Sequence, residues 1–177
     1  LLATRARILE HHQIDYRLAG ICNSKRVAWF DDASPDWQGA LANGEQLGSV
    51  REAFDQFQAL PLERKVWVDN TASPEVAAIT PTALALGVSV VCSNKIAATG
   101  NMASWESMQS SLEVGCVMFK NETNVGAALP VIGSLKNMIA TGDRVQNIEG
   151  VLSGSLNFVF SKMDEGMTFA SAVEMAM

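Results

Sequence analysis

Three short runs constrain this chain more than any other feature: Val66-Trp67-Val68-Asp69-Asn70, Val88-Ser89-Val90-Val91-Cys92 and Cys116-Val117-Met118-Phe119. Each is apolar at consecutive rather than alternating positions, as in strands covered on both faces, and such strands belong to parallel sheets. The intervals between them have helical length. Ser73 is an N-cap with Pro74 at the first helical turn, where a missing N–H costs nothing, and that helix runs to about Leu86. A second helix is expected near 101–114. Upstream, Asp15 to Cys22 reads as a further strand, closed by the polar stop Asn23-Ser24-Lys25-Arg26. Residues 31–48, with Ser34-Pro35, have loop and short-helix character, and Val50 to Leu60 has helical spacing, so this stretch is a crossover. Strand, crossover, strand, helix, strand, helix, strand is an α/β pattern.

From Asn121 the rhythm changes. A Gly/Ala loop, Val125 to Pro130, precedes a helix through Val131, Leu135, Met138 and Ile139, which ends with Gly142 at the left-handed C′ position. Arg144 to Ser153 reads as a long strand, Ser155 to Met163 as a helix, and Thr168 caps one more. The reading therefore divides the chain at residue 121: 1–121 a nucleotide-type domain, 122–177 the start of a second, α+β domain. The chain opens at Leu1 already in helical register and stops at Met177 inside another helical pattern, so both ends read as cut.

Charge and composition exclude some roles. With 13 Lys+Arg against 19 Asp+Glu, the net charge of −6 leaves no basic stripe for nucleic acid. The longest apolar stretches, such as Ala83 to Cys92, fall short of the ~20 residues that span a bilayer, and no basic n-region with an apolar h-region opens the chain. Cys22, Cys92 and Cys116 are odd in number and lie in or beside apolar runs, which supports neither a disulfide framework nor a zinc site and suits a reducing cytoplasm. The adjacent His11 and His12 cannot share a helix face and read as surface residues.

In an open parallel sheet, ligands bind outside the carboxyl ends of the strands, so the loops at 23–26, 70–73, 93–95 and 121–127 should converge on one crevice. Taken singly, each is also an ordinary cluster of turn formers. In dinucleotide folds the loop after an early strand presents a carboxylate to the ribose of NAD or a cation to the 2′-phosphate of NADP. Asn23, Ser24, Lys25 and Arg26 hold two cations and no carboxylate, which favours NADP against the plain reading of a solvated turn. Lys95 directly follows an apolar strand, placing its ammonium at the crevice as a proton shuttle or hydroxyl-orienting group; a lysine snorkelling from a helix start is the competing reading. The loop Asn121 to Pro130 allows close backbone approach at Gly126 and offers carbonyls suited to a hard cation, or else is a domain hinge. At 150–157 a Gly/Ser-rich strand-to-helix turn offers free N–H groups to an anion or a carboxamide.

The runs Val68-Asp69-Asn70-Thr71-Ala72-Ser73, Ser93-Asn94-Lys95, Glu122-Thr123-Asn124-Val125-Gly126-Ala127-Ala128-Leu129-Pro130-Val131 and Gly142-Asp143, followed by Gly150 to Leu156, together resemble homoserine dehydrogenase, in order and spacing over nearly the whole chain. The resemblance is closest to the dehydrogenase half of the bifunctional aspartokinase–homoserine dehydrogenase type. Ala128 departs from it, since the family usually has Gly there. The resemblance implies a Rossmann-like doubly wound parallel sheet followed by the start of an α+β substrate and dimerisation domain. It implies NAD(P)-dependent interconversion of L-homoserine and L-aspartate 4-semialdehyde, on the route to threonine and methionine, in a homo-oligomer, dimeric or higher. Carried over by motif, Thr71, Ala72, Ser73 and Lys95 lie on the cofactor side, Lys95 also acting on the reacting oxygen, and Ser155 lies near cofactor and substrate. The carbonyls of Glu122, Val125, Ala127 and Leu129 form a monovalent-cation site, for Na⁺. The family's Gly-x-Gly-x-x-Gly phosphate loop, its substrate-binding carboxylates and its second lysine are not among these residues, so the 177-residue chain alone is expected to show negligible NADPH-dependent reduction of aspartate semialdehyde. The alternatives are another two-domain NAD(P) oxidoreductase, or a non-catalytic nucleotide-binding regulatory domain.

Overall fold

The computed structural model describes residues 2–31, 36–127 and 129–177, so the expected loop residues Ser34 and Pro35, the start at Leu1 and the departure at Ala128 lie outside the described residues. The chain forms two compact units, Leu1–Lys65 and Val66–Met177.

The first unit opens with a 3₁₀ turn and helix α1 (Arg5–His12), which ends at Gln13 in the left-handed region, φ 55°. The expected strand from Asp15 is only β1 (Gly20–Cys22). Asp15 instead pairs with Arg5, and the Tyr16 hydroxyl meets Thr4 Oγ1 at 3.0 Å, so side-chain bonds hold residues 15 and 16, while Ala19 O accepts from Phe30 N at 2.9 Å just ahead of β1. β1 does not join a parallel sheet. It pairs antiparallel with β2 (Arg26–Trp29), Cys22 opposite Val27, and Asn23 shapes the hairpin by accepting from Lys25 N and Arg26 N at 2.8 Å each. Helix α2 (Trp37–Ala42), capped by Asp36, leads to β3 (Glu45–Gln46), antiparallel to β2. Helix α3 (Val50–Ala59), where expected, is capped by Ser49 and buries Ala53, Phe54 and Phe57.

The second unit holds the parallel sheet. β4 (Val66–Asp69) crosses through α4 (Pro74–Ala77) and α5 (Ile79–Ala85) to β5 (Ser89–Cys92), and β5 through α6 (Met102–Val114) to β6 (Phe119–Lys120). The helix expected from Pro74 to Leu86 is broken at Ala78, because Pro81 has no N–H to return to the Ala77 carbonyl. α5 packs on β5 and α6 on α5, and Leu84, Val90 and Met108 are fully buried. The opposite row, Val66, Val68 and Val91, is 42–52% exposed, so these strands are apolar on both faces but covered within the unit on one. Three further helices follow: α7 (Ile132–Ala140), α8 (Gly154–Asp164) and α9 (Phe169–Ala176), the last two packed together. α7 ends as expected at Gly142, φ 98°, with Asp143 N donating to Met138 O and Gly142 N to Ile139 O. The strand expected over Arg144 to Ser153 is not formed: the segment is irregular and largely exposed, because no described strand offers it a ladder.

Candidate functional site

β4 and β5 run in register, with Asp69 level with Cys92, so the turns that follow them leave the same edge of the sheet. Asp69, the last residue of β4, is fully buried. Its Oδ1 accepts from Thr71 N at 2.9 Å and Thr71 Oγ1 at 2.8 Å, and its Oδ2 accepts from Asn94 Nδ2 at 3.0 Å. Among the described residues no cation pairs with it. Asn94, 2% exposed, also donates from Nδ2 to Ser73 O at 3.0 Å and accepts from Ile96 N at 3.1 Å. The bonds of Asn94 thus fix the chain on both sides of Lys95. Ser93 Oγ donates to Asn70 Oδ1 at 3.3 Å, and the Asn124 amide lies against the carbonyls of this turn: in one orientation its nitrogen donates to Asn94 O at 3.4 Å, in the other to Ser93 O at 3.1 Å and Cys92 O at 3.3 Å. Three of the four loops expected to converge therefore do so, joined through side chains. The fourth, 23–26, belongs to the antiparallel hairpin of the other unit.

The Thr71 hydroxyl donates its proton to Asp69 and accepts from Ser73 N at 3.1 Å and Asn94 Nδ2 at 3.5 Å, so its hydrogen-bonding capacity is used in holding the two turns together. Ser73 Oγ caps α4 by accepting from Val76 N, and Ala72 lies exposed between the two. Lys95 is exposed, and among the described residues nothing pairs with its Nζ. Cys92 is buried behind the turn, its Sγ donating to Asn94 O at 2.9 Å. Desolvation and then the Asp69 carboxylate push its thiol above the usual cysteine range, against a backbone hydrogen bond at Asn94 that lowers it. The thiolate is the nucleophile, so iodoacetamide at neutral pH should label the exposed Cys22 and Cys116 first and reach Cys92 only at higher pH or on unfolding; peptide mapping of the labelled native protein checks this.

The segment after β6 forms a 3₁₀ turn, Glu122–Asn124, then two successive left-handed residues, Gly126 (φ 68°) and Ala127 (φ 52°). A methyl at Gly126 would lie 3.3 Å from Leu129 and Val131 atoms, so glycine is needed for both its backbone angle and its space. Glu122 Oε2 accepts from Gly133 N at 2.7 Å in the first turn of α7, while its Oε1 is buried with no partner among the described residues. The Glu122 and Leu129 carbonyls each accept one backbone N–H, from Val125 and Val131, leaving each a second lone pair. With the carbonyls of Val125 and Ala127 these are hard oxygens of the kind a monovalent cation takes. Gly126 N donates to Leu152 O at 3.2 Å, tying this loop to the start of α8. There Ser153 caps by accepting from Leu156 N, and Ser155 lies exposed in the first turn.

In the first unit, a shallow cavity of about 400 Å³ is lined by Asn23, Lys25, Arg26, Trp37, Gln38, Leu41 and Ala42, with Ser24 in the same turn. Arg26 Nη1 donates to Gly44 O at 2.6 Å; its other guanidinium nitrogens have no partner among the described residues. Sequence reasoning found the cations but missed Trp37 and the short strand that begins at Arg26. It likewise missed Asp69, Asn94 and Asn124 as a connected set, although a carboxylate closing an apolar strand was a signal.

Residues 3–116 match the family model described as homoserine dehydrogenase, NAD binding domain, and residues 130–177 the model described as homoserine dehydrogenase. The bifunctional aspartokinase/homoserine dehydrogenase of Haemophilus influenzae is 32% identical over 170 residues, which are 95% of this chain and 21% of that protein. The homoserine dehydrogenase of Paracoccidioides brasiliensis is 36% identical over 135 residues, 73% of this chain and 36% of that protein. The chain thus spans between 21% and 36% of the length of these two relatives. Among solved structures, a hyperthermophilic archaeal homoserine dehydrogenase in complex with NADPH shares the fold, with a TM-score of 0.69 at 23% identity, over 99% of this chain and 56% of that one.

Proposed function

The chain belongs to the homoserine dehydrogenase family, and from that premise we propose that the protein interconverts L-aspartate 4-semialdehyde and L-homoserine with a nicotinamide dinucleotide, NADP in preference to NAD. The observation that carries this reading is the carboxyl edge of the parallel sheet, where Asp69 and Asn94 hold the Thr71 and Lys95 turns together. When bound, the nicotinamide supplies or accepts hydride. Lys95 Nζ, without a partner among the described residues, gives a proton to the aldehyde oxygen in reduction and orients the hydroxyl in oxidation. Thr71 and Ala72 lie exposed on the cofactor side of this edge, and the Ser73 hydroxyl keeps its proton to donate. The first-turn N–H groups of α8 at Gly154 and Ser155 face the same need for a partner. The buried, unpartnered Glu122 Oε1 supports a Na⁺ site formed by Glu122, Val125, Ala127 and Leu129. That loop supports a functional boundary at residue 121, with 122–177 the beginning of the catalytic and dimerisation domain. Exposed apolar side chains on α7 to α9, among them Ile139, Phe160 and Phe169, support a homo-oligomer. No helix among the described residues is long and apolar enough to cross a membrane; a cytoplasmic site is the reading that fits a metabolic reductase.

The test is the full-natural-length protein with NADPH and aspartate semialdehyde, followed by nicotinamide absorbance. Consumption that requires the semialdehyde supports the reading; none, with NADPH bound, overturns it in favour of a regulatory nucleotide domain. The adenosine end has its own test. Loss of one charge-assisted contact to a phosphate, about 1.5–3 kcal/mol, corresponds to about tenfold or more in affinity. Arg26→Ala should therefore raise the KM for NADPH by about tenfold and leave that for NADH nearly unchanged, whereas equal effects on both would make Arg26 a hairpin residue only.

A further inference from the structure

We propose that Asp69 and Asn94 are positioning residues for the reaction, a buried carboxylate–amide pair that sets the turn bearing Lys95 and the turn bearing Thr71 relative to one another. The proposal rests on the reading of Lys95 and Thr71 given above. A strand-end turn does not need a buried charge: Asn or Ser would close it, and an isolated buried carboxylate is expensive unless its acceptor sites are filled. Here Asp69 is fully buried without a cationic partner among the described residues, and both its oxygens are used, one by the N–H and hydroxyl of Thr71, the other by Asn94. These bonds fix the Thr71 side chain: its proton goes to Asp69, and its oxygen accepts from Ser73 N at 3.1 Å and Asn94 Nδ2 at 3.5 Å. Asn94 is committed equally fully. Its NH₂ holds Asp69 and the Ser73 carbonyl, and its oxygen holds Ile96 N, so the peptide bearing Lys95 is clamped one residue before and one after. Neither side chain reaches solvent, and neither is available to touch substrate; both act through their neighbours. The pair joins two turns whose residues lie 25 positions apart in the chain, and among the side-chain bonds between those turns it is the one buried on both sides.

Replacing Asp69 by Asn keeps the shape but puts an NH₂ against either the NH₂ of Asn94 or the N–H of Thr71, so Asn94 must turn and abandon Ser73 and Ile96, or position 69 must give up Thr71. A misplacement of about 1 Å in a catalytic group can lower turnover about 10²-fold. The test uses the full-natural-length protein and four forms: wild type, Asp69→Asn, Asn94→Asp, and the reciprocal double variant D69N/N94D, which restores a donor–acceptor pair across positions 69 and 94. Circular dichroism establishes the folded fraction, NADPH fluorescence gives the dissociation constant, and steady-state rates give kcat and KM. Each single variant is expected to lose about 10²-fold in kcat, with a much smaller change in NADPH affinity, and the reciprocal variant to regain at least about tenfold of the lost kcat. Single variants that are folded and keep wild-type kcat overturn the proposal. So does a reciprocal variant that recovers thermal stability but no turnover, since the pair would then be a fold element only. If a single variant does not fold, the reciprocal variant carries the decision by the same measure. A wild type without semialdehyde-dependent turnover would instead remove the underlying reading, a result separable from the behaviour of the variants.

Discussion

Lys95→Ala should lower kcat by about 10²–10⁴-fold, the usual contribution of a positioned acid or base. The expectation follows from where the residue sits. Its backbone is clamped between Asn94 and Ile96, at the carboxyl edge of a sheet where ligands of this fold class bind, and no described side chain engages its ammonium. A lysine that merely snorkelled from a 3₁₀ turn would lose little when shortened. NADPH affinity should fall much less than kcat, because the adenosine end is held elsewhere. Primary alkylamines added to Lys95→Ala should restore part of the rate, with a pH dependence that follows the amine. A kcat within a few-fold of wild type would leave Lys95 outside the chemistry. Lys95→Arg keeps the charge but spreads it over a larger, planar group that is not a proton donor at working pH, so it should behave more like Ala than like Lys.

Much of this arrangement could be read from residue order, and most of the exceptions share a cause. β4 and β5 announce themselves because apolar residues at consecutive positions leave a buried parallel strand as the economical solution, and the Ser73-Pro74, Thr168 and Gly142 signals act within a few residues of themselves. Most of the failures depend on partners distant in the chain; the break at Pro81 is local. Asp15 to Ala19 has strand-like residues, but Asp15 is taken by Arg5. Arg144 to Ser153 has apolar residues at strand-like spacing and no ladder to join. The hairpin strand at Arg26 hides behind a charged start that resembles a loop, and Pro81 breaks a helix whose apolar pattern runs straight through it. The site divides in the same way. Lys95, Thr71 and the Gly126-Ala127 loop stand out by local residue type, whereas Asp69, Asn94 and Asn124 form a site only once register sets the ends of β4 and β5 side by side. Activity itself came from motif resemblance, since composition spoke only against some partners.

The largest expected effect on stability lies away from the chemistry, at Phe54. Its side chain is fully buried on α3, with its ring centroid 6.4 Å from that of Phe57 at a tilted angle, so both the transfer of a large apolar surface and an aromatic contact depend on it. Truncation to alanine removes most of that surface and leaves a cavity that a ten-residue helix with three buried side chains cannot close, a loss of about 3–5 kcal/mol. Thermal melting of the full-natural-length protein should drop by roughly 10 °C. Function should follow through geometry: Trp29 Nε1 donates to Gln56 Oε1 at 3.0 Å, so α3 is tied to β2, which begins at Arg26 of the cation-lined cavity. Loosening α3 should therefore weaken NADPH and NADH binding together, since the whole hairpin shifts, whereas Arg26→Ala separates them. Phe54→Leu, which refills most of the volume, should recover most of the stability and nearly all of the binding. Melting unchanged by Phe54→Ala would mean that α3 contributes nothing to the cohesion of the first unit, and the link from its core to the cation-lined cavity would fall with it.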